Sequence, residues 1–152
     1  LYGFDAATAL KANSLAIVCL SFGCVAAGAI VDRCGAGWVL LVGGLLLGFT
    51  SWTFYSSLAV HPDWLFPLYA LTGLLVGTIG AVPFVMVNAF PAVVRFSGLS
   101  FSYNVAYAIF GGLTPLVVSL MIKWDPLGPA YYVATLCGLA VLIGAYLRGK
   151  GR

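Results

Sequence analysis

An all-α membrane protein with five transmembrane helices is what this sequence predicts, and three observations predict it. Of 152 residues, 62% are apolar and only 7% charged, with a mean hydropathy of +1.09, whereas a soluble domain carries roughly 25% charged residues. Neither Glu nor Gln occurs anywhere, so the chain lacks the side chains that would cover a soluble globule. The apolar residues fall into five runs of about 20 to 26 residues, each long enough for a hydrocarbon core of roughly 30 Å. The solvent for most of this chain is lipid.

Taken in order, Leu1 to about Ala9 read as a loop, and a first span runs from about Leu10 to Val31, ending at Asp32-Arg33-Cys34-Gly35-Ala36-Gly37. The second runs from about Trp38 to Leu58 and is broken by His61-Pro62-Asp63. Asp63 is placed as the N-cap of a third span, about Trp64 to Ala89, with Pro67 in its first turn, where a missing N–H costs nothing. A link holding Pro91 and Arg95 follows, then Ser97 as the next N-cap. A fourth span continues from about Gly98 to Ile122. Lys123-Trp124-Asp125-Pro126-Leu127-Gly128 is a turn, and Pro129 opens a fifth span ending near Leu147. Residues 1–152 thus form one transmembrane helical domain.

Charge gives the orientation. With five spans, Arg33, Arg95, Arg148, Lys150 and Arg152 share one side of the membrane. Lys11 and Lys123 share the other with Asp5, Asp63 and Asp125. The positive-inside rule puts the first group in the cytoplasm, hence the N-terminus outside and the C-terminus inside. Trp38, Trp64, Trp124, Tyr131 and Tyr132 fall at span ends, as interfacial aromatics do. An outside N-terminus with no signal peptide needs a preceding helix, which predicts that this piece belongs to a longer polypeptide. Gly44-x-x-x-Gly48 and Gly73-x-x-x-Gly77 are small-residue ridges for helix packing, and Pro83 and Pro115 predict kinks within spans.

The chemistry the chain lacks is informative. Cys19, Cys24, Cys34 and Cys137 form no C-x-x-C pair and have no nearby histidine, so neither a metal site nor a disulfide framework is expected. A formal charge of +3 is too small and too scattered for nucleic acid. No nucleophile–base set and no Gly-rich phosphate loop can be assembled, so an enzyme is not expected and no cofactor is implied. All four aspartates lie at span ends, leaving no acidic group mid-membrane of the kind proton coupling normally uses.

Two patterns remain. In the fourth span Ser100, Asn104, Tyr107, Gly111 and Thr114 are spaced 4, 3, 4 and 3 apart, which confines them to one arc of an α-helix. A single polar stripe on an apolar helix fits a wet cavity, with Tyr103, Asn104, Tyr107 and Thr114 facing a small-molecule substrate. Small and polar stripes also glue helices together. At the cytoplasmic side, Gly28-Ala29-Ile30-Val31-Asp32-Arg33-Cys34-Gly35 places a small residue for close helix contact, an Asp-Arg pair at the membrane edge, and Gly35 for a tight turn. Asp32 faces the Phe90–Gly98 link, where Arg95 and the fourth helix's N-terminus both favour an anion. A carboxylate held there would latch two helices. An ordinary positive-inside flank explains the arginines but not the Asp and Gly pattern.

At these residues the chain resembles the major facilitator superfamily. G-x-x-x-D-R-x-G is similar to the loop motif between that family's eighth and ninth helices. F-P-A-V-V-R-F-S-G-L-S-F-S-Y-N-V-A-Y-A-I-F-G-G-L-T-P-L resembles the link between the tenth and eleventh helices of its metabolite–proton symporters. The resemblance implies a partial C-terminal half of a major facilitator fold, helices eight to twelve, without helices one to seven. It also implies symport of a small polar metabolite (organic acid or osmolyte) with a proton, and a cell-membrane location. Two departures matter: Asn88 stands where many relatives have Glu, and Ala36 and Gly37 replace the usual basic residues. The cytoplasmic gate implied for Gly28, Asp32, Arg33, Gly35, Asn88 and Arg95 is therefore weaker in charge. A truncated, non-transporting membrane protein and a passive channel are the alternatives.

Overall fold

The structure, a computed structural model, describes residues 4–58 and 60–150. Among them every regular element is helical. Helix α1 spans Ala6–Cys34 and α2 spans Ala36–Ser57. The third span, Pro62–Ala89, is built from a 3-10 turn (Pro62–Trp64), α3 (Leu65–Val76), a second 3-10 turn (Gly77–Gly80) and α4 (Ala81–Ala89). The fourth, Arg95–Trp124, comprises α5 (Arg95–Ala106), a π-helical turn (Tyr107–Gly111) and α6 (Gly112–Trp124). Helix α7, Gly128–Lys150, completes five helical stretches among the described residues, each long and apolar enough to cross a membrane.

The helix ends depart from expectation in three places. Helix α1 begins at Ala6, ahead of the expected Leu10, because Asp5 caps it: Oδ2 accepts the Ala7 N–H at 3.3 Å. Asp63 is not an N-cap; it lies inside the 3-10 turn that Pro62 opens, and no side chain caps that end. Ser97 is not one either, since the fourth helix already starts at Arg95, with Val94 at the cap position and its carbonyl accepting the Gly98 N–H at 2.8 Å. The turn before α7 is held by Asp125, whose Oδ1 accepts the Leu127 N–H at 2.8 Å. Between α1 and α2 a single residue, Gly35, makes the reversal at φ +84°, a left-handed conformation that a β-carbon disfavours.

Each internal proline is preceded by irregular helix. Pro83 cannot donate to the Ile79 carbonyl, and the 3-10 turn Gly77–Gly80 comes just before it. Pro115 cannot donate to Gly111, and the π turn Tyr107–Gly111 lies just before it. Removing one rung of the i→i−4 ladder lets the preceding turn tighten or widen at little further cost.

The spans pack in two tight pairs. Helix α1 lies against the third span, where a β-carbon on Gly73 would stand 2.8 Å from Ala16 Cα and one on Gly80 would stand 3.0 Å from the Cys24 carbonyl oxygen. Helix α2 lies against α7, where a β-carbon on Gly144 would meet the Leu41 N at 2.6 Å and the Gly37 oxygen at 2.8 Å. Lipid tails are as apolar as leucine, so association here depends on such close backbone approach. One apolar cluster, Ala27, Val31, Ala36, Val39, Leu40 and Ala81, joins the pairs at the α1–α2 turn. A second, Ala12, Phe54, Leu58 and Leu65, joins them at the other end. The fourth span stands apart. None of its apolar stretch is buried, against 39% in the second span.

Candidate functional site

The polar stripe of the fourth span is built on α5 and interrupted by the π turn. Asn104 is exposed, and its Nδ2 donates to the Ser100 carbonyl at 2.8 Å, leaving Oδ1 with no bond to another described residue. Tyr103 and Tyr107 stack, with ring centroids 4.8 Å apart and planes at 30°. Both rings are exposed. Together these three side chains make a polar and aromatic surface near the middle of the span.

Thr114 does not continue that surface. A π turn carries one extra residue, which rotates everything beyond it by about 100° relative to an unbroken α-helix. The Thr114 hydroxyl is bonded to the Phe110 carbonyl and lies 2.6 Å from the Tyr132 hydroxyl on α7. It therefore ties the fourth span to the fifth, a correction to its expected place beside Asn104. The 4-3-4-3 spacing assumed a regular helix, and Pro115 is the reason the helix is not regular.

The α1–α2 turn and the end of α4, from which the Phe90–Gly98 link leaves, lie at one end of the bundle. A cavity of about 940 Å³ there is lined by the α1–α2 turn (Cys34–Trp38), by Phe84, Val85, Asn88 and Ala89 of α4, and by Tyr146, Leu147 and Arg148 of α7. Within this end the expected latch is not closed. Among the described residues Asp32 forms no ion pair, and the Arg95 Nε donates instead to the Phe90 carbonyl at 3.3 Å, closing its own link. Arg33 and Asp32 are exposed at the end of α1. Asn88 Nδ2 donates to the Phe84 carbonyl at 2.8 Å, and among the described residues no arginine donates to its Oδ1. Gly28 was expected to permit a close contact, but a β-carbon there would meet nothing within 4 Å. Gly23, one and a half turns earlier, makes that approach instead, against Leu74 and Gly77. Arg152 and the side chain of Lys150, counted among the positive-inside residues, lie outside the described residues.

The contact that closes this end was not anticipated. Arg148 Cζ sits 3.6 Å from the ring centroid of Trp38, a cation–π pair joining the last turn of α7 to the first turn of α2. In the sequence the two are separate features, a flanking charge and an interfacial aromatic. A pairing between spans separated by 110 positions leaves no local signal, although Gly37 and Gly144, which let the two helices meet, were visible. At the opposite end Tyr69 donates to Asn13 Oδ1 at 3.1 Å, and His61 stacks on Trp64 at 5.3 Å.

Against known proteins, the chain is 35% identical over 128 residues to the citrate-proton symporter of Klebsiella pneumoniae, a match covering 80% of this chain and 29% of that protein. It is 34% identical over 134 residues to the citrate-proton symporter of Salmonella typhi, covering 80% of this chain and 30% of the relative. The ectoine/proline transporter of Corynebacterium glutamicum is 38% identical over 58 residues, 35% of this chain and 12% of the relative. Over four-fifths of its length the chain is similar to proton-coupled metabolite symporters of the major facilitator superfamily. It spans less than a third of the length of these relatives, as a partial major facilitator fold. These relatives are transporters, and this chain is a multi-pass membrane protein and not an enzyme. No family model matches the chain, and no solved structure gives a match.

Proposed function

We propose that this chain is the C-terminal part, helices eight to twelve, of a secondary active transporter that carries a small polar metabolite together with a proton. The supporting observation is that four-fifths of its length, across all-helical spans, aligns at 35% identity with a citrate-proton symporter. In this reading transport proceeds by alternating access about a site near the midplane. Tyr103, Asn104 and Tyr107 offer that site hydrogen bonds and aromatic faces. The protein lies in the inner (plasma) membrane with its N-terminus outside and its C-terminus in the cytoplasm. The substrate is an organic acid or an osmolyte, the two classes that the relatives' names span.

No titratable Asp, Glu, His, Lys or Arg lies within the interior of the five apolar runs, so the proton is taken up by a group elsewhere in the full-length protein. Asp32, Arg33 and Arg95 act at the cytoplasmic gate: their ends of the bundle coincide, and the pair left open here closes when that gate shuts.

The test uses the full-length protein in proteoliposomes, with labelled citrate, proline and betaine and an imposed proton gradient. Saturable uptake of one of them, collapsed by a protonophore, is the expected result. Uptake that neither saturates nor responds to the gradient makes the protein a passive channel and defeats the proposal. For the gate, Asp32→Asn slows turnover more than it weakens substrate binding. Weaker binding with unchanged turnover of bound substrate would show that Asp32 is no latch.

A further inference from the structure

Two cavities, one partly polar and one almost wholly apolar, meet at Cys34 and Trp38. The first, of about 940 Å³, opens at the bundle end that carries Arg148 and Asn88. The second, of about 470 Å³, runs from the same two residues past Ala27, Ile30, Val42 and Leu46 to Gly23 and Leu74. Its lining holds no charged side chain, and beyond the shared Cys34 and Trp38 only Thr78 brings a polar group. From Cys34 to Gly23 is eleven residues of α1, or about 16 Å of helix. That is close to half of a hydrocarbon core roughly 30 Å thick, the depth of one leaflet.

The polar end carries positive charge. Arg148 lines it, held over Trp38 at 3.6 Å. Among the described residues it is the one charged residue of the lining; Asp32 and Arg33, exposed at the end of α1, are not part of it. An apolar slot one leaflet deep, ending at an interfacial tryptophan and an arginine, has the two-part chemistry of an amphiphile with an anionic head. Basic pockets between transmembrane helices on the cytoplasmic side take such headgroups.

We infer that the joined cavities bind one anionic phospholipid, its acyl chain in the groove between α1, α2 and the third span and its phosphate at Arg148. Bound there, the lipid bridges α1 and α2, which touch each other less than either touches its own partner, and it stabilises the cytoplasmic turn at Gly35. This site is separate from the fourth span's polar surface and does not depend on which metabolite is carried.

The experiment is native mass spectrometry of the delipidated full-length protein titrated with dioleoyl phosphatidylglycerol. The expected result is a retained adduct, not displaced by inorganic phosphate and not formed with dioleoyl phosphatidylcholine. Arg148→Gln weakens it about fivefold, the effect of one basic residue at an anionic headgroup, while Arg148→Lys preserves it and controls for folding. Val42→Trp fills the groove without changing charge and also weakens the adduct. The inference fails if Arg148→Gln and Val42→Trp both bind as the parent does. It fails too if inorganic phosphate displaces the lipid, or if the parent retains none, as when another segment of the full-length protein covers the groove.

Discussion

Of the second and fourth spans the fourth is the more apolar, with a mean hydropathy of 2.0 against 1.5 for the second, yet it is the second that the structure buries. Helix α2 meets α7 along Gly37, Gly44 and Gly48 on one side and Gly144 on the other, so that each backbone lies where its neighbour's β-carbons would otherwise be. The fourth span has glycines too, at Gly98, Gly111 and Gly112, but the nearest side chains to the first two are Phe90 and Tyr107, close by in sequence, and Gly112 faces open space. It holds to the rest through its link to α4 and through α6 against α7, including Thr114 on Tyr132. Glycine spacing alone therefore does not say whether a membrane helix is packed. What decides is whether a second helix presents a matching small-residue face, and here α1 with the third span and α2 with α7 use up the matches. A helix left with polar and aromatic groups on an uncovered surface is the one that the proposed function assigns to a substrate.

The contrast breaks most readily at the tight pairs. Gly73→Leu in the full-length protein drives a side chain into the Ala16 backbone, which cannot move aside as a flexible side chain would. A loss of at least about 1–3 kcal/mol is expected, read as a lower melting temperature in detergent and reduced folded yield. An unchanged melting temperature would mean that α1 and the third span are not in contact.

The fourth span should respond in function before stability. Asn104→Ala removes an exposed amide bonded only to its own helix. Melting temperature is expected to hold while the transport KM rises about fivefold, the worth of one hydrogen bond of about 1 kcal/mol. Equal KM values would remove Asn104 from the substrate surface.

A smaller effect is expected where the two regions touch. Tyr132→Phe deletes the hydroxyl opposite Thr114, and interhelical hydrogen bonds within membranes average about 0.6 kcal/mol. A shift of that size in denaturant midpoint, absent in a Thr114→Val background, would assign it to this pair. Additive shifts in the double variant would show that the two hydroxyls act separately.

The smallest effect sharpens the comparison most. A β-carbon on Gly112 meets nothing within 4 Å in this structure, so for Gly112→Leu stability is expected to stay within about 0.5 kcal/mol of the parent. A large loss in the full-length protein, measured by the same melting assay, would show that another segment packs against this face of the fourth span.

Much of the architecture was legible because lipid imposes it. A chain with almost no charge, broken by Asp32–Gly37, His61–Asp63, Phe90–Arg95 and Trp124–Gly128, has little choice but helices between those breaks, since backbone groups in hydrocarbon must bond within their own segment. The same breaks show which ends lie together, and Gly35 at φ +84° is where a one-residue reversal demands glycine. Local capping was less legible. Asp63 and Ser97 have the right chemistry for caps, but Pro62 starts a 3-10 turn early and Arg95 already lies in the helix.

The candidate site divides along the same line. Composition and periodicity determined that the fourth span has a polar side containing Asn104 and Tyr107, because residue type and spacing are local properties. Only the tertiary structure decided that Thr114 leaves that side for Tyr132, that Arg95 closes its own link rather than reaching Asp32, and that Arg148 rests on Trp38. The Thr114 and Arg148 contacts depend on where a distant helix lies, which in a membrane is settled by the fit of small-residue surfaces between spans that no single span encodes; the Arg95 bond follows the backbone's path within its own link.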